Sequence, residues 1–333
     1  MMVSRTEDAL EFSDAEIDEA RRLNRRLAYM PRFRAPGVLS KMMIQSMMRL
    51  GQAVAPRSVP GVIVRTQRLR WKDQDLSLRT LIPDAPARGV YVDYHGGGWS
   101  IGNAAMDDPV NLRIAKECGL VVVSVDYGLM PETRLPQMMA QCAAAADWVF
   151  ERGETEFGAA PVFIGGESAG AHLAACTLLA VKKARADFDR LKGAVLFYGV
   201  YDLSSTPSVR NAARGTLVLH GPAMRSGLAS LAPDRDEAGL RDPSLSPLYA
   251  DLSGLPPALL LCGTIDPLID DTRLMAERWS RQSGDVQTVI APDAPHAFNR
   301  FPASRMASRT NAFVRGWLDA RLADISGSSL AAE

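Results

Sequence analysis

Five residues, Gly166-Glu167-Ser168-Ala169-Gly170, follow the apolar run Val162-Phe163-Ile164-Gly165 and precede a stretch of helical character. A serine in a G-x-S-x-G turn between a strand and a helix has the setting of a nucleophile elbow. Such a turn forces strained angles on Ser168, and small neighbours, here Gly166 and Gly170, keep the chain from clashing. It lifts the hydroxyl to the C-terminal edge of a sheet, beside the positive end of the next helix. Alone the turn is a weak signal, because a glycine-rich turn before a helix also suits phosphate. A second segment, His95-Gly96-Gly97-Gly98-Trp99, closes the apolar run Val90 to Tyr94. Consecutive glycines let main-chain amides approach a ligand closely. Attack of a serine on a carbonyl builds an oxyanion, which N–H groups about 3 Å away stabilise. Gly97, Gly98 and Ala169 are the expected donors, with His95 bracing the loop. Trp99 reads as a wall of the pocket mouth or as a core residue. Glu167 reads as a hydrogen-bonded structural carboxylate in preference to an electrostatic tuner.

A serine needs a base. The chain has 4 histidines. His296 lies just after the apolar run Val286 to Ile290, in Asp293-Ala294-Pro295-His296-Ala297-Phe298. Asp266 lies just after Ala258 to Cys262, in Asp266-Pro267-Leu268. Both positions are C-terminal ends of expected strands, where open α/β sheets place their sites. The order Ser, Asp, His along the chain is one that an α/β sheet uses for acyl transfer. Asp270 and Asp271 are rivals to Asp266, but they fall where the next helix begins and read as N-terminal helix charges. Asp293 shares a loop with His296. His172, one turn past Ser168, reads as a packing residue, and His220 as structural or exposed.

These residues require a scaffold of alternating elements. Val62 to Val64 and Leu76 to Leu81 alternate like an antiparallel pair. Val90 to Tyr94, Leu120 to Val125, Val162 to Ile164, Ala194 to Tyr198, Ala258 to Cys262 and Val286 to Ile290 read as further strands. Helical patterns separate them at 107–118, 138–150, 168–183, 270–282 and 304–322. Alternation of this kind implies an α/β protein with about eight strands, mostly parallel, and helices on both faces. Residues 1–55 read as an N-terminal helical segment, with Ser13 as N-cap and Glu16 completing a capping box. Residues 56–200 and 253–325 form the two parts of the core. Residues 201–252 break the alternation, and an insertion of that length is usually functional. Residues 326–333 read as a loose tail.

Between 38 and 54 the chain is rich in methionine. Met43 and Met47 read as a packed apolar helix face, as an adaptable pocket wall, or as both. Hydrophobic residues are 47% and charged residues 23%, which is ordinary globular usage. The net charge of zero gives no pull toward nucleic acid. Six arginines between Arg21 and Arg34 follow an acidic stretch. A solvated helix face with intrahelical charge pairs is the preferred reading, ahead of a membrane-surface patch. The 4 cysteines show no metal spacing and read as reduced core thiols. No apolar leader and no run of membrane-spanning length is visible. The expectation is a cytoplasmic protein with no membrane or nucleic-acid partner, no metal and no organic cofactor. A homodimer is left open.

Further motifs sit in the same order along the chain: Val125-Asp126-Tyr127-Gly128-Leu129-Met130-Pro131-Glu132, Ser246-Pro247-Leu248 and Gly254-Leu255-Pro256-Pro257. Together with the segments above they resemble the hormone-sensitive-lipase-like (bacterial family IV) esterases of the α/β-hydrolase superfamily, over roughly residues 60 to 320. Gly128, Met130 and Glu167 depart from the usual Arg, Ala and Asp of that family. The resemblance implies the α/β-hydrolase fold with a helical cap built from residues 1–55 and 201–252. It also implies a carboxylesterase for short- to medium-chain acyl esters, with Ser168 as nucleophile, His296 as base and Asp266 as its orienting acid. The same triad would serve a lactonase, a polyester hydrolase or a peptidase. A non-catalytic receptor on this fold is disfavoured by the presence of His296.

Overall fold

In a computed structural model the described residues are 9–34, 37–54, 59–72, 74–301 and 303–330. In chain order the elements are α1 (Asp14–Leu27), α2 (Val38–Val54), β1 (Val62–Trp71), β2 (Gln74–Pro83), β3 (Gly89–Tyr94), α3 (Asp108–Cys118), β4 (Leu120–Asp126), α4 (Leu135–Phe157), β5 (Val162–Glu167), α5 (Ala169–Ala184), β6 (Leu191–Phe197), α6 (Pro207–Arg210), α7 (Gly221–Ala229), α8 (Glu237–Leu240), β7 (Ala258–Gly263), α9 (Ile269–Ser283), β8 (Val286–Ala291) and α10 (Arg305–Leu330). Among the described residues the sheet has eight strands, ordered β1-β2-β4-β3-β5-β6-β7-β8. The chain divides into two compact units, one of Pro36–Ala194 with Phe313–Glu333, the other of Met1–Ala35 with Val195–Ala312.

In the first unit β1 and β2 pair antiparallel from Val62↔Pro83 to Trp71↔Gln74, and β2 pairs antiparallel with β4. β3 lies parallel to both β4 and β5. Every residue of β3 and β5 is buried, which is why these strands read as unbroken apolar runs. β1, at the edge, alternates instead. α4 buries Cys142, Ala145, Ala146 and Val149 at helical spacing. Pro136 opens its first turn, where a missing N–H costs nothing.

α2 departs from expectation. Met42, Met43, Met47 and Leu50 are exposed, and the buried side carries Lys41. The reading of a packed face that includes Met43 and Met47 is therefore corrected: the side held to the body carries Lys41 and Gln45 with the half-buried Ile44 and Met48. Lys41 donates to the Met130 carbonyl at 2.5 Å and to the Glu132 carboxylate. Gln45, one turn on, exchanges two hydrogen bonds with the Gly102 main chain, at 3.1 and 3.2 Å. Four strong polar contacts fix the helix where its apolar side chains would have left donors unpaired.

In the second unit β7 and β8 pair parallel from Ala258↔Val286 to Gly263↔Ala291. α1 begins as its sequence suggests, with the Glu16 carboxylate accepting from the Ser13 amide and hydroxyl at 2.8 and 2.7 Å. Glu16 and Glu19 also accept from Arg309 and Arg305. Residues 201–252 fold into the short helices α6, α7 and α8 joined by turns. The expectation of a loose tail is corrected over 326–330, where α10 continues to Leu330. Residues 331–333 of that tail, and residues 1–8, 35, 36 and 55 of the N-terminal segment, lie outside the described residues. The four cysteines are free and buried. Burial pushes the thiol of Cys176 up to about 12, so it stays protonated.

Candidate active site

Ser168 stands alone between β5 and α5 with φ 56° and ψ −116°. A side chain in this region costs of order 1–3 kcal/mol and persists only where the surroundings dictate it. Gly166 and Gly170 are what dictate it. A Cβ on Gly170 would lie 1.8 Å from the Tyr94 carbonyl oxygen, and one on Gly166 would lie 2.7 Å from the same atom. The end of β3 thus crosses the turn at backbone contact, and only glycine admits it. His172 N–H donates to the Ser168 carbonyl at 3.2 Å, closing the first turn of α5. Ala169, at the first position of α5, has an amide that no intrahelical acceptor can reach. Ser168 itself is half-buried, and Glu167 is buried.

The loop after β3 is rigid despite its glycines. Gly97, Gly98 and Trp99 have φ of 115°, 58° and 56°, three successive residues in the left-handed region. A Cβ on Gly97 would meet the Ile101 carbonyl oxygen at 2.1 Å. The Gly97 carbonyl instead accepts from the Ser100 and Ile101 amides, at 3.2 and 3.1 Å. His95 stacks on Tyr127 with ring centroids 4.2 Å apart. Its Nδ1 lies 2.7 Å from the Gly96 carbonyl, so Nδ1 carries the proton. Tyr127 donates to the His95 carbonyl at 2.6 Å. Trp99 is buried, edge-on to His172 at 5.4 Å, and its carbonyl accepts from the Met130 amide at 2.8 Å. Of the two readings for Trp99, burial matches that of a core residue. The candidate pocket residues Met43 and Met47 are 61% and 67% exposed.

Although Tyr127 lies in the Val125 to Glu132 motif, several residues that support this loop have no part in it assigned from the sequence. Lys41, Gln45, Tyr127 and Gln141 hold it or the segment behind it, the last by accepting from the Gly128 amide at 2.8 Å. Asp93, buried two residues before His95, accepts from Asn111 and Ser124 at 2.7 and 3.0 Å. Burial and the nearby Asp107 push its carboxyl well above the usual carboxylate range. Gly128, a departure from the family pattern, has a local cause: a Cβ there would lie 2.1 Å from the Thr133 hydroxyl oxygen.

The second unit brings together the candidate acid–base pair. Asp266 Oδ2 lies 2.8 Å from His296 Nδ1, and both residues are buried. The other oxygen, Oδ1, accepts from the Leu268 amide at 2.9 Å. A carboxylate held at both oxygens and facing Nδ1 fixes the proton there and leaves Nε2 to accept. The His296 loop reaches this position because Gly263 lets it: a Cβ on Gly263 would lie 1.9 Å from the Ala294 carbonyl oxygen. Tyr198 packs against the imidazole with ring centroids 4.6 Å apart.

The rival carboxylates are engaged elsewhere. Asp293 accepts from Arg21 at 2.8 Å, and its carbonyl accepts from Asn24 at 2.7 Å. Asp270 accepts from the Ser208 amide at 2.8 Å. Asp271 is fully buried and ties α9 to the segment after β6. Its Oδ1 accepts from the Tyr201 and Asp202 amides at 2.7 and 3.1 Å, and its Oδ2 from the Thr206 hydroxyl at 2.6 Å. It is more than a helix-terminal charge. His220 caps α7, accepting from the Ala223 amide at 3.2 Å. Among the described residues no group of three or more His, Cys, Asp or Glu is placed to hold a metal ion. Among them too, no helix is long and apolar enough to cross a membrane.

A sequence profile for the alpha/beta hydrolase fold matches residues 91–300. Solved structures show the same fold. An esterase from Mycobacterium marinum is 26% identical, with a TM-score of 0.80, over 92% of this chain and 96% of that one. A hyperthermophilic esterase from the archaeon Pyrobaculum calidifontis is 26% identical, with a TM-score of 0.78, over 93% and 99%. A hormone-sensitive lipase from a metagenome library is 25% identical, with a TM-score of 0.75, over 91% and 98%.

Proposed function

This chain belongs to the alpha/beta hydrolase fold family, in its hormone-sensitive-lipase-like branch, and on that premise we propose that it is a serine carboxylesterase acting on short- to medium-chain acyl esters. The observation that carries the reading is the backbone of Ser168, a non-glycine residue held at φ 56° and ψ −116° at a strand–helix junction. A protein keeps such strain where it displays a nucleophile. The solved relatives named as esterases support the reaction class.

In the proposed reaction the Ser168 oxygen bonds to the ester carbonyl carbon while His296 Nε2 takes the hydroxyl proton. Asp266 stabilises the resulting imidazolium through Nδ1. The amides of Gly97, Gly98 and Ala169 hold the oxyanion. The carbon–oxygen bond to the alcohol breaks, and the alcohol leaves with the proton from His296. Water then attacks the acyl-enzyme by the same route, releasing the acid and restoring Ser168. No metal or organic cofactor enters the scheme.

Hydrolysis of p-nitrophenyl esters tests it. Ser168→Ala should lower turnover of p-nitrophenyl butyrate on the order of 10⁴-fold or more with an unchanged melting temperature. Undiminished turnover by that variant overturns the assignment. A series of increasing acyl length then reads the chain-length range, which rests on the cap implied by the family.

A further inference from the structure

The basic stretch in α1 resolves into two kinds of arginine. Arg21 is paired, donating to Asp18 at 3.1 Å and to Asp293 at 2.8 Å. Intrahelical pairing therefore accounts for Arg21. It does not account for Arg25 and Arg26, which are exposed and for which no ion pair is found among the described residues. Arg22, also exposed, has Glu19 beside it, but Glu19 is engaged by Arg305.

Spacing adds the second half of the pattern. Residues 22, 25, 26 and 29 fall at i, i+3, i+4 and i+7, one face of a helix. The helical path continues past Leu27, because Ala28 keeps right-handed angles and the Tyr29 amide donates to the Arg26 carbonyl at 3.2 Å. Tyr29 therefore sits on the arginine face, 92% exposed, and Met30 beside it is 56% exposed. The opposite side of α1 is the one that buries Ala20 and Leu27.

This tip is a fixed display. Arg32 Nη1 donates to the Ala28 and Met30 carbonyls at 2.8 and 2.7 Å, and its Nε donates to the Thr216 carbonyl at 3.2 Å. The next residue, Phe33, donates to the Val218 carbonyl at 2.6 Å and accepts from the His220 amide at 2.9 Å. The turn that carries Tyr29 and Met30 is thus bonded on both of its flanks. Basic residues in a last turn also suit the helix dipole. That term explains the arginines and leaves a rigidly presented tyrosine and methionine unexplained.

A tyrosine prefers the boundary between water and hydrocarbon, where its ring is apolar and its hydroxyl wet. Arginines on the same face match the negative potential of anionic headgroups. We propose that the face of α1 formed by Arg22, Arg25, Arg26, Tyr29 and Met30 docks this protein on an anionic lipid surface. Charge complementarity selects a negative partner, and the exposed Tyr29–Met30 tip selects one with an apolar layer behind its charges. Docking needs no turnover, so it stands or falls separately from the esterase reading.

The test is co-sedimentation of the full chain with vesicles of phosphatidylcholine alone and of phosphatidylcholine with phosphatidylglycerol. Binding is expected to the anionic vesicles and to weaken strongly as salt rises from about 0.05 M to 0.5 M. Arg25→Gln with Arg26→Gln should lower the partition coefficient roughly 25-fold, taking about five-fold per arginine. Tyr29→Ser with Met30→Ser should lower it at constant charge, and melting temperatures monitor the fold of both variants. No binding to anionic vesicles overturns the proposal. Loss on the arginine change with no effect of the tip change also overturns it, because the attraction is then purely electrostatic and selects no apolar layer. So does a concentration-dependent dimer that the tip variant abolishes.

Discussion

Asp271 gives a quantitative test of how the second unit is held together. Its carboxyl is fully buried, and burial raises it from an ordinary value of 3.8 to about 7. The two amides and the hydroxyl that donate to it offset part of that penalty. The unfolded chain ionises near 3.8, so between that value and about 7 the folded protein binds the extra proton. Stability from this group is then complete below pH 3.8 and falls as pH rises through that window. One unit is worth about 1.4 kcal/mol, so the loss from pH 5 to pH 8 is roughly 2–3 kcal/mol. Asn in place of Asp271 keeps an oxygen for the two amides and can donate to the Thr206 oxygen, so it mimics the protonated acid. Urea unfolding of wild type and Asp271→Asn at pH 5 and pH 8 isolates the term. The variant should gain roughly 2–3 kcal/mol relative to wild type on going from pH 5 to pH 8. An equal difference at the two pH values would refute the account of a carboxyl neutralised by burial.

Two further outcomes follow from geometry near the candidate nucleophile and the candidate base. Asp266→Asn should keep the fold but favour the wrong His296 tautomer, lowering kcat about 10⁴-fold near neutral pH. A fall of less than ten-fold would show that another group orients the imidazole. Gly170→Ala places a Cβ 1.8 Å from the Tyr94 carbonyl oxygen, where only backbone can yield. It should destabilise by about 3 kcal/mol or more and depress turnover by moving Ser168, read by thermal melts and ester hydrolysis together. Wild-type stability in that variant would mean that the approach of β3 is not fixed.

The strands were legible in the sequence because burial on both faces leaves runs such as Val90 to Tyr94 and Val162 to Ile164 no polar alternation. Their ends, where the candidate site residues sit, were legible for the same reason. α4 proved longer than its apolar pattern, Leu135–Phe157 against 138–150, because its last turns are exposed and carry no periodic apolar signal. α2 was legible as a helix, yet its orientation was not. Four methionines at helical spacing favour a buried face, and that inference fails where Lys41 and Gln45 find acceptors and donors on the body. Asp271 does sit in the first turn of α9, as its position suggests, but its part as a buried tie was not legible, because its three donors come from residues about 70 positions earlier.

Local covalent geometry explains the division. The sequence alone determined the candidate nucleophile, because a tight strand–helix turn needs glycine at 166 and 170 and that need is written in five residues. It also determined the places of Asp266 and His296, since each follows an apolar run. Tertiary structure alone decided which carboxylate faces His296, since Asp293 is nearer in sequence but is drawn away by Arg21. It alone decided that Gly128 makes room for Thr133, and that α2 turns Lys41 and Gln45 inward. Those outcomes depend on hydrogen-bond partners and close approaches supplied by distant segments, and no short stretch of sequence carries that information.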